Sequence, residues 1–246
     1  MAQLSITPND LVPFEIVREN RDYIVVYKPS GVATQPGIKH MKDTLLNGLF
    51  SEYGPALQNL GKKRDYGLLH RLDLTTSGLL LVGKTPDGYD HLRRQFEERA
   101  VEKQYLVLVH GRLQRSGRVE HPIREVRING EKTAQLGAHP KAKSAITIFH
   151  PLESNRSFSV VRCRILSGRL HQIRIHMASL GHPVVGDFRY GRRSSYDKFL
   201  GRKRIGLHAF SLEFKPPRRS KPVRVQYPLP EDLARFIENV GLSCRI

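Results

Sequence analysis

The sequence predicts a mixed α/β (α+β) fold, with a largely antiparallel central sheet flanked by helices and loops. Three observations predict it. Short apolar or alternating runs of strand length recur along the 246 residues, and stretches with apolar residues three or four apart separate several of them. Asn129-Gly130, flanked by alternating residues, marks a hairpin, and hairpins join antiparallel neighbours.

Residues 1–22 read as an amino-terminal extension and residues 23–246 as one domain. Tyr23 to Lys28 is a strand that stops at Pro29, where Ser30-Gly31 turns the chain. Asp43 to Gly54 follows with Leu45, Leu46, Leu49 and Phe50 at helical spacing. After a loop around Asp73, Leu79 to Val82 is a buried strand. Pro86 to Ala100 returns to helical spacing with Leu92 and Phe96, and Tyr105 to Val109 is a continuous apolar run of the kind found in central strands. Gly111 to Asn155 is polar and rich in turn signals, which suggests hairpins at a sheet edge.

Val161, Cys163 and Ile165 alternate with Arg162 and Arg164, giving a strand with one core face and one basic face. Leu170, Ile173, Met177 and Leu180 predict a short helix from just after Gly168-Arg169, with Gly181 as its cap. Gly191 to Gly206 interleaves Arg192, Arg193, Lys198, Arg202, Lys203 and Arg204 with Tyr196 and Phe199, a solvated loop or an RNA-facing one. Leu207 to Phe214 alternates as a strand. Pro230, Glu231 and Asp232 open a last helix with Leu233, Phe236, Ile237 and Val240 on one face.

Charge narrows the partner. Forty-one Lys and Arg against 23 Asp and Glu leave +18, spread along the chain instead of gathered in a tail. That favours a polyanion, and nucleic acid above a membrane, because no stretch approaches the roughly 20 apolar residues of a spanning helix. Cys163 and Cys244 are far apart and no CxxC occurs, so neither a disulfide framework nor a thiolate zinc site is indicated. His171 and His176 lie five apart, not the three or four that put two ligands on one helical face, which argues against a metal site. The first ten residues lack a basic head and apolar core, so a cytoplasmic location is expected, with an organelle left open.

The stretch from His70 to Leu81 carries the most chemistry. It sets Asp73 between a guanidinium, Arg71, and a small-residue turn, Thr75-Thr76-Ser77-Gly78, that leads into an apolar strand. A carboxylate so placed can be a nucleophile; it can equally be a turn residue before a buried strand.

Together with two further blocks, the segment resembles the RluA-type pseudouridine synthases over nearly the whole chain. The pattern His-Arg-Leu-Asp-x-x-Thr-Ser-Gly is matched by His70 to Gly78, Lys-Pro-x-Gly by Lys28 to Gly31, and Gly-Arg-x-His-Gln-Ile-Arg-x-His by Gly168 to His176. Gly181-His182-Pro183, Gly186-Asp187 and Leu207-His208-Ala209 continue the family order, and several ordered motifs are far more specific than any one of them.

The resemblance implies an RNA-modifying isomerase that detaches uracil from its ribose, rotates it and rejoins it through carbon 5 without a cofactor. Asp73 would be the nucleophile, and Arg174 the arginine that pairs with it, lowers its pKa and fixes its orientation. Tyr105 matches a tyrosine lying against the uracil and implicated in removing the carbon 5 proton, although an aromatic on a sheet face is the plain alternative. Leu207 matches an apolar residue of the pocket floor, which core packing explains equally well. Arg71 would fill the space left by an extruded uridine and meet phosphate. His70, Lys28 and Arg169 count as further substrate or RNA contacts. Lys28 is otherwise a surface charge, and the histidines otherwise hydrogen-bond loops.

On this reading residues 23–246 are a pseudouridine synthase catalytic domain without a separate S4-like RNA-binding domain, acting as a monomer on structured ribosomal or transfer RNA. Two rivals differ in product. A non-enzymatic RNA-binding protein with this fold would leave uridine unchanged, and a glycosidic-bond hydrolase, which ordinarily needs paired carboxylates, would release uracil.

Overall fold

The computed structural model describes residues 4–128, 130–191, 194–196, 200–201 and 204–243. Asn129, Arg192, Arg193, Lys198, Phe199, Arg202, Lys203 and Cys244, all singled out in the sequence, lie outside them. The chain divides into two compact units. One runs to Val101 and adds Phe210–Tyr227; the other holds Glu102–Ala209 and the residues from Pro228 on.

In the first unit β2 (Tyr23–Lys28) pairs antiparallel with β1 (Glu15–Glu19) on one side and β3 (Ser77–Gly83) on the other, with Tyr23 opposite Gly83 and Lys28 opposite Gly78. β3 is buried along its length, as a continuous apolar run requires. β10 (Leu207–Phe214) neighbours β3, and its residues Ser211–Phe214 pair antiparallel with β11 (Val223–Gln226). β1 falls within the stretch read as an extension, so that stretch contributes an edge strand to this unit.

Helix α1 (Leu45–Leu60) starts at a reciprocal cap, in which the Thr44 hydroxyl takes the Asn47 N–H and the Asn47 side chain takes the Thr44 N–H. It does not stop near Gly54. A kink at Tyr53 lets Pro55, which has no N–H to give, sit in the first turn of a second segment that buries Leu57 and Leu60. α2 (Pro86–Glu97) is capped by Thr85 and has proline in its first turn.

In the second unit β4 (Glu102–His110), β9 (Phe158–Ile165), β8 (Ile146–Ser154) and β5 (Gly117–Glu120) pair antiparallel in that order. β4 also neighbours β10 in the strand order. β6 (Ile123–Ile128) and β7 (Glu131–Leu136) make the hairpin that Asn129-Gly130 predicts, but as a separate two-stranded sheet instead of an edge of the main one. Leu108, Phe158 and Val160 pack with Leu233, Phe236 and Ile237 of α4 (Glu231–Asn239), each burial worth roughly 2 kcal/mol.

Arg162 and Arg164 of β9 are exposed while Val161, Cys163 and Ile165 are buried, as the alternation predicts. Helix α3 (Gln172–Ser179) begins later than its apolar spacing suggests, because His171 stands in the left-handed region at φ 53°, and Leu180 falls beyond its end on the surface. Of the basic stretch, Arg204 is buried, with Nε 3.0 Å from Asp232, which removes it from any RNA-facing set. Among the described residues no helix is long and apolar enough to cross a membrane.

Candidate active site

In the first unit, the Asp73 turn is assembled by the loop that follows β2. The Ser30 hydroxyl donates to the Thr75 carbonyl at 3.0 Å and the Gly31 N–H to the Leu74 carbonyl at 2.8 Å. The buried Thr34 hydroxyl donates to the Leu72 carbonyl at 2.7 Å. Within the turn, the Thr76 N–H closes on the Asp73 carbonyl at 3.1 Å. The backbone on both sides of Asp73 is thereby fixed, while Asp73 itself is only half-buried. A carboxylate that must meet a reacting carbon needs this combination of held backbone and open side chain.

The residues matched around Asp73 divide by exposure. Arg71 is exposed and makes no side-chain hydrogen bond or ion pair among the described residues, so its guanidinium faces solvent. Lys28 departs from the surface charge expected. It is fully buried, and its ammonium donates to the Pro29 and Val32 carbonyls at 2.8 and 2.7 Å. Lysine is used there as an internal clasp on the Pro29–Val32 turn, the turn that grips the Asp73 segment. The half-buried His70 stacks on Phe96 at 5.0 Å, and its Nε2 accepts the Leu81 N–H at 3.0 Å, which places its proton on Nδ1. Those contacts anchor the chain entering the turn to β3.

The second unit holds Tyr105, Arg169, Arg174 and Leu207. Tyr105 is buried in β4 opposite Cys163. Lys103, two residues earlier and so on the same face of that strand, is buried too, and burial pulls its ammonium down to about 8. Leu207 is buried at the start of β10. Arg169 is half-buried with its Nε on the Ser144 carbonyl at 3.2 Å. The Gln172 amide fixes the turn before α3: it accepts from the Ser167 hydroxyl and Arg169 N–H, and donates to the Ile146 carbonyl and Thr147 hydroxyl.

Arg174 is buried and held in a fork by Asp187, with Nε to Oδ2 at 2.6 Å and Nη2 to Oδ1 at 2.9 Å. Its guanidinium lies 5.3 Å over the Tyr190 ring. Burial alone would raise the Asp187 carboxyl, but the Arg174 hydrogen bonds and charge and the Arg189 N–H outweigh it and leave the pKa lowered. Asp187 is brought there by a strap paired to β4, where the Val185 N–H donates to the Leu108 carbonyl and the His110 N–H to the Pro183 carbonyl. At Gly186 φ is 78°, and a Cβ would fall 2.7 Å from the Arg204 carbonyl, so only glycine makes this turn.

Tyr190 is a residue that no sequence motif singled out. Its hydroxyl lies 2.8 Å from His171 Nδ1, 3.0 Å from the Thr133 hydroxyl and 2.9 Å from the Ala134 N–H, tying the β6–β7 hairpin to the residues around Arg174. Gly186-Asp187 had been visible as a motif, but nothing in its spacing named Arg174 as the partner. Among the described residues no group of three His, Cys, Asp or Glu side chains could hold a metal ion.

Comparison with known proteins identifies the family. Residues 22–179 match the family model described as RNA pseudouridylate synthase. A Bacillus subtilis (strain 168) protein described as an uncharacterized RNA pseudouridine synthase, YlyB, is 36% identical over 95% of this chain and 74% of its own length. The ribosomal large subunit pseudouridine synthase D of Nitrosomonas europaea is 34% identical over 94% of this chain and 66% of its own. Among solved structures, human RNA pseudouridylate synthase domain containing 1 superposes with a TM-score of 0.71 at 30% identity, covering 94% of this chain and 90% of that one. Its counterpart, domain containing 4, gives a TM-score of 0.72 at 22% identity, over 94% of each chain, and so supports the fold. The chain belongs to the RluA-type RNA pseudouridine synthases, enzymes that isomerise uridine within RNA.

Proposed function

We propose that this enzyme converts a uridine of ribosomal RNA to pseudouridine with Asp73 as nucleophile and without a cofactor. The observation that carries the reading is the Asp73 turn, whose backbone is held at Leu72, Leu74 and Thr75 while the carboxylate side chain stays half-open. The chemistry asks for nothing more by way of redox or group donors. Uridine and pseudouridine have the same composition: the N1–C1′ bond breaks, a C5–C1′ bond forms, one proton leaves C5 and one arrives at N1.

In this scheme Arg174, oriented by Asp187 and Tyr190, is the arginine that pairs with the nucleophile and sets its orientation. Tyr105 lies against the uracil and accepts the C5 proton, and Leu207 lines the pocket. Arg71, exposed and unengaged, enters the gap left by the extruded base, where its planar guanidinium can stack. Arg169 contacts RNA, whereas Lys28 and His70 act through the loops they brace. The relatives named for the large ribosomal subunit support ribosomal RNA over transfer RNA.

Incubation of unmodified ribosomal and transfer RNA transcripts with the enzyme, followed by digestion and chromatography, tests the proposal. Pseudouridine should appear in the ribosomal transcript, with no free uracil. Asp73→Asn should bind the transcript as the wild type does and lose about 10⁴-fold or more in rate, because the amide keeps the shape and removes the nucleophilic charge. Single-turnover isomerisation by that variant at a near wild-type rate would remove Asp73 from the nucleophile's role, and product only in transfer RNA would overturn the substrate assignment.

A further inference from the structure

We propose that the loop joining β10 to β11 is a second RNA contact, one that grips phosphates well away from the uridine being isomerised. Lys215 to Arg224 reads Lys-Pro-Pro-Arg-Arg-Ser-Lys-Pro-Val-Arg, five cations in ten residues and no carboxylate. Arg224 is neutralised by Glu213, Nε to Oε2 at 2.7 Å. Lys215, Arg218, Arg219 and Lys221 are exposed, and none of their side chains makes an ion pair or hydrogen bond among the described residues.

The loop is anchored where charge alone would drive it apart. The Lys215 carbonyl accepts from His91 Nε2 at 3.0 Å and from Gln95 Nε2 at 2.8 Å, and the Lys215 N–H donates to Gln95 Oε1 at 2.9 Å. Pro216 is buried, and the Arg219 N–H turns back to its carbonyl at 3.3 Å. Arg94, exposed on the same face of α2 as His91 and Gln95, adds a cation, and Asp87 and Glu98 on that face are the offsetting charges. Like charges fixed at close range repel, and that cost is relieved by a polyanion. Because the backbone is already ordered, little of the binding energy is spent on ordering it.

Position separates this contact from the chemistry. Phe214, which precedes the loop, packs edge-on against Tyr23 at 5.0 Å, and Tyr23 lies opposite Gly83 at the far end of β3 from the Asp73 turn. The six steps from Ser77 to Gly83 put the loop about 20 Å along the sheet from that turn. It therefore touches RNA that flanks the target. An anionic lipid surface would meet the same cations, but the loop tip carries Pro, Ser and charged residues and no aromatic or aliphatic anchor to enter a bilayer.

This inference rests on the chain acting on RNA. The test uses a long transcript containing the mapped uridine, its truncation to the target stem-loop, and the triple variant Arg218→Asn, Arg219→Gln, Lys221→Gln, in which Asn tolerates the positive φ of position 218. Loss of about three phosphate contacts should raise KM and Kd for the long transcript about tenfold with kcat unchanged. The stem-loop should be bound and converted as by the wild type, which also shows that the variant folds. Equal behaviour of variant and wild type on the long transcript, or equal losses on both RNAs, would overturn the proposal. So would loss of binding to phosphatidylglycerol vesicles with both RNAs handled normally. Failure of the wild type to form pseudouridine would count against the catalytic reading alone, since the two binding constants still report on the loop.

Discussion

At the scale of single residues, the site depends on groups whose work is to hold others. Arg174 was legible from Gly168 to His176, yet its surroundings were not: thirteen positions on, Asp187 carries the carboxylate that fixes it. A buried guanidinium deprived of its carboxylate is left with an uncompensated charge. Asp187→Asn should therefore cost about 3 kcal/mol in urea denaturation, whereas replacing both partners, Asp187→Leu with Arg174→Met, should recover most of it. Because the Asp187 carboxyl is lowered in the folded protein, its stabilisation is complete above the ordinary carboxylate range and is lost as pH falls through the folded value. A single-variant cost below about 1 kcal/mol would show that the strap from Pro183 to Asp187 is held without the pair. Lys28 gives the opposite lesson. Its motif was plain, but burial is a property of the fold, and a lysine before Pro-Ser-Gly carries no local sign that its ammonium turns inward to two carbonyls.

At the scale of elements, what the sequence hid follows from how strands and helices advertise themselves. β2, β3, β4, β9 and β10 bury at least one face and were legible as apolar runs or alternation. β1 is an edge strand with no fully buried residue, and β11 is four residues long with one, so neither imposes a pattern. α3 was found, but its start was misplaced because the left-handed His171 interrupts an apolar spacing that continues on both sides. The same helix carries a pH prediction. His176 is fully buried, with Nε2 donating to the His121 carbonyl at 3.1 Å and Nδ1 taking the Thr147 hydroxyl at 2.9 Å. Burial lowers its pKa, against the opposing pull of that carbonyl. The unfolded chain then takes up a proton near 6.5 that the folded chain refuses, so stability is full above that pH and declines below it. His176→Gln, which keeps polar atoms at that position, should flatten the slope of unfolding free energy between about pH 6.5 and 5, whatever its effect at pH 8. An unchanged slope would mean that another group controls acid sensitivity in this range.

At the scale of the whole molecule, charge is the property that composition alone revealed and that folding did not cancel. Even if each of the 23 carboxylates held one cation, 18 of the 41 Lys and Arg would remain unmatched. Pairs such as Arg64–Asp90 and Arg118–Glu120 lie at the surface, where solvent makes them worth little, so they do not account for the composition either. A chain that only had to stay soluble would gain as much from a modest excess of either sign. The sign and size of this one suit a substrate that carries a phosphate at every nucleotide. Binding should accordingly be driven by counterion release, with log affinity falling linearly in log salt by about 0.7 to 0.9 per phosphate met. Six such contacts would lower affinity roughly 10³-fold between 50 and 200 mM salt. The turnover rate at saturating RNA should change far less, because screening weakens the capture of RNA by exposed charges, and saturation offsets that loss. The two quantities separate the roles: KM rising steeply with salt at nearly constant kcat places the excess charge in capture of the RNA, whereas kcat falling in step with affinity would place it at the reacting uridine, and a flat KM would deny it either role.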